Sequence, residues 1–315
     1  MDSGPVLDMR GQEPEGRHRH RDGTLNLQES IVSKMIIRKN NPRVIINADD
    51  FGITQGVNKA IFELVDAGIV TSTSVMTNMP DYGDVAVLRD KIGIGVHFNL
   101  TVGRPIVETQ NVPTLVNSKG NFYDLSQLLT KMKKRRFVRE EVEIEFEAQV
   151  KQLINIGIEP DHINSHESLL KYPFFMGIIK KIAKKYKIMG VRTYSPRKFD
   201  YKRLLNPRKI AISFYLKFQK LGWKRNGFSV TDKYDSLIQL GLNQEIAFKK
   251  LRDIFRNLPC GVLEIGVHPG YCNGNNISMG NYVYEREVEL QTLLSDRFKK
   301  IIFVSGAELI CFKDI

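Results

Sequence analysis

The chain is poor in cysteine, has one tryptophan and contains no long apolar run, and each shortage excludes something. Its three cysteines, Cys260, Cys272 and Cys311, show neither CxxC spacing nor the density of a disulfide scaffold. That speaks against a cysteine-ligated zinc and for a reducing, cytoplasmic compartment. The apolar stretches, such as Val262–Val267, are strand-sized, and none approaches the roughly 20 residues that cross a bilayer, so no membrane partner is expected. Met1 to Ser30 is polar, clusters Arg17, His18, Arg19, His20 and Arg21, and lacks the apolar stretch and cleavage site of a secretory leader. Residues 1–40 are therefore read as a disordered tail and 41–315 as one domain. Trp223 alone makes no stacking platform, and zinc-finger, RNP and glycine-loop KH signatures are missing. The net charge of +12 is accordingly not read as nucleic-acid binding. The basic clusters Lys131 to Arg139, Lys180 to Lys187 and Arg197 to Arg225 are interleaved with apolar residues as solvated helix faces are.

What is present is a repeated alternation of short β-branched runs and helical stretches over 315 residues, enough to bury one large core. Arg43 to Asn47 reads as a buried parallel strand, and Gly56 to Ala67 as a helix with apolar residues at helical spacing and Gly68 at its end. Val70 to Met76, Gly93 to Phe98 and His162 to Asn164 read as further strands, the last after a long amphipathic stretch from Arg139 to Ile156. Weaker strands are expected at Val191 to Thr193 and Phe228 to Val230. Val262–Val267 and Ile301 to Ser305 close the series, the latter after a helix from about Tyr284 to Leu294. About eight parallel strands with outer helices predict an α/β fold, a closed or deformed (β/α) barrel of the TIM-barrel type, with an open doubly wound sheet as the alternative. Thr101 to Asp124, punctuated by Gly103, Pro105, Pro113 and Gly120, is the long irregular stretch and a candidate lid or substrate loop.

The polar residues at strand ends carry the chemistry. Asp49 and Asp50 follow one apolar strand, His97 ends another, His166 follows a third and His268 a fourth, and residues just past the C-terminal ends of barrel strands share one mouth. Two adjacent carboxylates are costly to desolvate unless a cation or hydrogen-bond donors receive them. An Asp pair can also serve as a helix N-cap, although one Asp suffices for that. His97 lies in an apolar context, and the alternative to a ligand role is a core histidine bonded to a carbonyl. Of His162 and His166, the second is the better ligand and the first better suited to a supporting place. One Asp and two neutral imidazoles leave open coordination positions where water can bind, as in catalytic metal sites. A carboxylate beside such a site can remove a proton, which gives Asp49 as base, Asp50 as ligand and His268 as proton donor to a leaving group.

The segments NADDFG at Asn47, GIVTSTSVM at Gly68, GVHFNLTVGRP at Gly95, DHINSH at Asp161 and GVHPGY at Gly266, in this order and spacing, resemble those of the YdjC-like carbohydrate deacetylases. The resemblance runs from about Val44 to the C-terminus. It implies a deformed (β/α) barrel and hydrolytic removal of acetyl groups from N-acetylated amino sugars or chito-oligosaccharides, a step in carbohydrate metabolism. It also implies a divalent metal, Mg2+ foremost with Zn2+ or Mn2+ as alternatives, and a homodimer. Carried over by motif, Asp50, His97 and His166 are the metal ligands, Asp49 the base and His268 the acid, while Arg192 and His162 are expected at the sugar. Where many relatives continue the SH motif with further histidines, this chain has Glu167-Ser168-Leu169-Leu170. Two other readings stay open on the residues alone. One is a glycoside hydrolase using Asp49 with Glu264 as a carboxylate pair; the other is an inactive barrel that binds polyanions.

Overall fold

The computed structural model describes residues 41–194, 206–272 and 282–315, so the tail expected at residues 1–40 lies outside them. The central strand is β1 (Arg43–Phe51), buried at every position after the first, as a parallel strand covered on both faces must be. It pairs in parallel with β2 (Ser72–Val75) on one side and β8 (Val262–Val267) on the other. The path continues through β3 (Gly93–Phe98), β4 (His162–Ser165), β5 (Gly190–Val191) and β6 (Ser229–Val230), while β7 (Lys233–Ser236) follows β8. Helices α1 (Gln55–Asp66), α2 (Leu125–Lys133), α3 (Arg139–Asn155), α4 (Pro173–Lys185), α5 (Pro207–Arg225), α6 (Gln244–Arg256), α7 (Val283–Leu294) and α8 (Asp296–Ser305) surround the sheet. Eight parallel strands thus form a curled half-barrel within a deformed (β/α) barrel.

Only Thr231 and Asp232 separate β6 from β7, too few residues for a crossover between parallel neighbours. The two are one bent run that changes partner. Gly190 faces Ser229 on the β5 side, and Lys233 faces Leu263 on the β8 side. Thr231 O accepts from Thr193 Oγ1 at 2.9 Å, and Asp232 N donates to Val262 O at 2.8 Å. The run therefore bridges two edges that no ladder joins directly.

The expected elements are found except at the C-terminal end. Ile301 to Ser305, read as a strand, is the end of α8. Ser295 caps that helix through Phe298 N, and Gly306, at φ 63°, ends it in the left-handed region that glycine enters without strain. Phe303 is 82% exposed, so the apolar run that suggested a buried strand is not buried. A short ninth strand, β9 (Glu308–Leu309), adds to the start of β1 instead.

The stretch Thr101 to Asp124 is irregular as expected but fastened along its length. Glu145 on α3 accepts from the amides of Ile106 and Val107, both at 3.0 Å, and Glu141, one turn away, from Thr114 N at 2.8 Å. The basic face of α4 meets acids of α3, with Lys181 on Glu143 and Lys185 on Glu147. Among the described residues no helix is long and apolar enough to cross a membrane.

Candidate metal and catalytic site

The end of β1 is built to deliver two carboxylates at once. Ala48 faces Thr73 and Phe51 faces Val75, so Asp49 and Asp50 together oppose Ser74 alone. This is a β-bulge, and Asp50 takes a left-handed φ of 67°, which Asp tolerates better than most residues. A regular strand would send consecutive side chains to opposite faces; the bulge turns both into the mouth. A second strained spot lies across it, where Glu167 and Ser168, directly after His166, have φ of 51° and 55°. Such conformations persist where the surroundings over-determine them.

Asp50 gathers the histidines. Its Oδ1 lies 3.1 Å from His97 Nε2 and 3.0 Å from His166 Nδ1, and its Oδ2 accepts from Arg286 Nη2 at 2.6 Å. Asp50, His97 and His166 each offer a ligand atom, all within 4.8 Å of one another. Burial would raise the Asp50 carboxyl, but the Arg286 guanidinium and the imidazoles hold it well below the usual carboxylate range. The tautomer of His97 follows from its neighbours. Asn164 Nδ2 donates to Asp49 Oδ1 at 3.2 Å, so the amide oxygen of Asn164 faces His97 Nδ1, at 2.6 Å, and must accept from it. The proton of a neutral His97 is thereby spent at Nδ1. Its Nε2 then faces Asp50 Oδ1 at 3.1 Å, a contact that either a proton on Nε2 or a metal cation satisfies.

Asp49 faces the other way. Arg192 donates to it twice, Nη1 to Oδ2 at 2.6 Å and Nη2 to Oδ1 at 2.7 Å, while Asn47 Nδ2 at 2.7 Å and Ser74 Oγ at 3.1 Å add donors. Burial alone would raise this carboxyl too; the bidentate guanidinium outweighs it and keeps Asp49 ionised. The Nε of the same arginine donates to Glu264 Oε1 at 2.6 Å. His268 Nε2 stands 3.6 Å from Asp49 Oδ2, and burial pushes that imidazole down to about 4, so it is neutral at pH 7. The backbone N–H of His268 donates to Glu289 Oε2 at 2.6 Å, and burial raises the Glu289 carboxyl to about 8.

Five of the seven expected site residues, Asp49, Asp50, His97, His166 and His268, share the mouth. The two expected at the sugar are placed differently. Arg192 is 2% exposed, with its fork engaged by Asp49 and Glu264, so it stands behind Asp49 rather than on an open surface. His162 is fully buried, two residues down β4 from Asn164, with Nδ1 against Asp161 and its ring stacked on Phe312 at 4.0 Å. A Cβ at Gly95 on the neighbouring strand would lie 2.5 Å from His162 Nε2, so this glycine makes room for the ring. Arg286 and Glu289 were not foreseen. They sit one turn apart on α7, among Glu285 and Glu287, where an ordinary amphipathic helix is all the sequence signals.

Comparison with known proteins gives the family of the chain. A family model described as "YdjC-like protein" matches residues 43–303. A carbohydrate deacetylase of Clostridium beijerinckii is 32% identical over 278 residues, covering 87% of this chain and 100% of the relative. Another from Halalkalibacterium halodurans is 34% identical over 254 residues, covering 80% and 94%. A crystal structure from Enterococcus faecalis V583, provisionally named a cellobiose-phosphate cleavage protein, superposes with a TM-score of 0.70 at 26% identity, covering 87% of this chain and 99% of that one. With a family model spanning most of its length and its five strand-end motifs meeting in one mouth, the chain belongs to the YdjC-like family.

Proposed function

We propose that the protein removes acetyl groups from N-acetylated amino sugars or chito-oligosaccharides with a divalent metal held by Asp50, His97 and His166. The observation that carries this is the convergence of Asp50, His97 and His166 in a buried mouth, with a ligand atom of each within 4.8 Å of the others. The names of the relatives supply the substrate class. Nitrogen and oxygen donors suit Mg2+, Zn2+ and Mn2+ alike, and Mg2+ is the ion proposed. When bound, the ion lowers the pKa of a water molecule and polarises the acetyl carbonyl.

The remaining steps belong to the chain. Asp49, held ionised by Arg192, accepts the proton of the attacking water, and its low proton affinity makes it pass that proton on. His268, neutral at rest and 3.6 Å away, takes the proton and delivers it to the departing amine. Arg192 is a positioning residue that fixes Asp49, and His162 fills the barrel interior beneath the site. The glycoside hydrolase reading fits less well, because Glu264 is fully buried and Arg192 spans it and Asp49, leaving no open cleft between the two carboxylates.

Incubation with divalent metal and N,N′-diacetylchitobiose should release acetate, and chelation should stop it. His97→Ala should lose bound metal. Metal demonstrably bound, without acetate from a broad panel of N-acetyl and O-acetyl sugars, overturns the deacetylase reading. Full metal stoichiometry in His97→Ala overturns the ligand assignment. Steep salt-dependent binding of nucleic acid with no metal bound would select the polyanion-binding barrel.

A further inference from the structure

Helix α5 carries Arg208, Lys209, Lys217, Lys220, Lys224 and Arg225 and no acidic residue. This helix packs inward with Leu216, Gln219 and Trp223. It also has a second apolar stripe, turned outward. Phe214, Phe218 and Leu221 are 59%, 70% and 49% exposed, and their i, i+4, i+7 spacing puts them on one face. Lys217 and Arg225, both exposed, flank the stripe, while Lys220 and Lys224 reach Asp232. A large apolar stripe left in water and bordered by cations marks a contact surface.

We propose that this face of α5 docks the protein on the surface of an anionic bilayer. Phe214, Phe218 and Leu221 enter the boundary between headgroups and acyl chains, and Lys217 and Arg225 meet lipid phosphates. Charge selects the occupant. A second copy would bring one helix without a carboxylate against another, and the cations would repel. A nucleic acid would satisfy the cations but leave Leu221, which cannot stack on bases, in water. An anionic lipid surface receives both sets of side chains. The contact is peripheral, since no described helix can span a membrane. It is also tied to the mouth, because Gln219 on the inner face donates to Leu170 O at 2.6 Å, bracing the turn that begins at His166. The proposal does not depend on the reaction catalysed.

The test is sedimentation of the full chain with vesicles of phosphatidylcholine alone or with about 30% phosphatidylserine. Binding is expected to the anionic vesicles only and should be released near 1 M salt, where the Debye length falls to about 3 Å. Phe214→Ser with Phe218→Ser should weaken partitioning at least about tenfold. Lys217→Gln with Arg225→Gln should weaken it about fivefold per cation. Both variants should keep the parent's thermal midpoint, which separates a lost surface from a lost fold. No binding to anionic vesicles, equal binding to neutral ones, or binding that neither variant weakens overturns the proposal. So does a parent dimer that the double Phe variant dissociates, or single-stranded RNA binding that the charge variant alone reduces.

Discussion

Asp49 and Asp50 are chain neighbours with the same side chain, yet they face two different halves of the mouth. On the Asp50 side stand His97 and His166 from β3 and from just past β4, and on the Asp49 side Arg192 and Glu264 from beyond β5 and from β8. The Asp49 side already holds its cation, a guanidinium in bidentate contact. The Asp50 side sets a carboxylate oxygen between two imidazoles, with Arg286 on the other oxygen. A one-residue bulge is what sends one carboxylate to a guanidinium fork and the other to a pair of histidines. Chemically identical neighbours can therefore be given different surroundings by a single bulge.

The widest break in that comparison comes from exchanging each carboxylate for its amide. Asp50→Asn should lose bound metal, and activity with it. Asp49→Asn should keep metal at full stoichiometry while acetate release falls by about 10² to 10⁴. Equal metal loss in both, measured by elemental analysis of the purified variants, would show that the two sides are not distinct. The next largest effect is on stability. Arg192→Met strands Asp49 and Glu264 without their partner, and removing one member of a buried ion pair costs about 3–5 kcal/mol. Urea unfolding measures it. Arg192→Lys should recover part of the loss, since an ammonium supplies the charge but not the fork; full recovery would mean that geometry plays no part.

Much of this was legible because parallel strands in a barrel bring their C-terminal ends together, so a polar residue ending an apolar run announces the mouth. Asp49, Asp50, His97, His166 and His268 all carried that signal. Arg192 and Glu264 were both read as near the site, Glu264 only as the carboxylate of the glycoside-hydrolase alternative, but their contact with each other could not be read, because Glu264 lies inside the apolar-looking run Val262–Val267 with no local mark of what it pairs with. Arg286 and Glu289 were hidden for the opposite reason: in a helix rich in charge, nothing shows which charged residues turn inward. The strand expected at Ile301 to Ser305 failed because a short β-branched run looks the same in a strand and in a helix end. There the capping residues Ser295 and Gly306 decide. The bent run from β6 to β7 was half seen, since its second part, Lys-Tyr-Asp-Ser, has none of the apolar bias of a buried strand and is only partly buried.

A smaller effect should follow from Asn164→Ala, which removes the group that orients His97. Asp50, His97 and His166 stay, but His97 loses its shorter partner at Nδ1 and keeps Ser74 Oγ at 3.1 Å, and the loss of such an outer partner lowers metal affinity about 10- to 100-fold. Titration calorimetry gives the number, and unchanged affinity would mean that Ser74 suffices to orient the ring.

The effect that shows only as a dependence on pH concerns Glu289, on the Asp49 side behind His268. Burial raises its carboxyl to about 8 from an ordinary 4.5, so the folded protein keeps a proton that the unfolded chain releases. Glu289's contribution to stability is therefore full below pH 4.5 and is lost as pH rises towards 8. Its slope is at most about 1.4 kcal/mol per pH unit for one proton. Glu289→Gln keeps an oxygen for the His268 amide and removes the titration. Its stability should consequently fall less steeply than the parent's between pH 4.5 and 8, with the gap widening as pH rises. Denaturant midpoints across that range provide the comparison. Parallel curves would mean that Glu289 is ionised in the fold and that the Asp49 side holds one more buried negative charge than its neighbours offset.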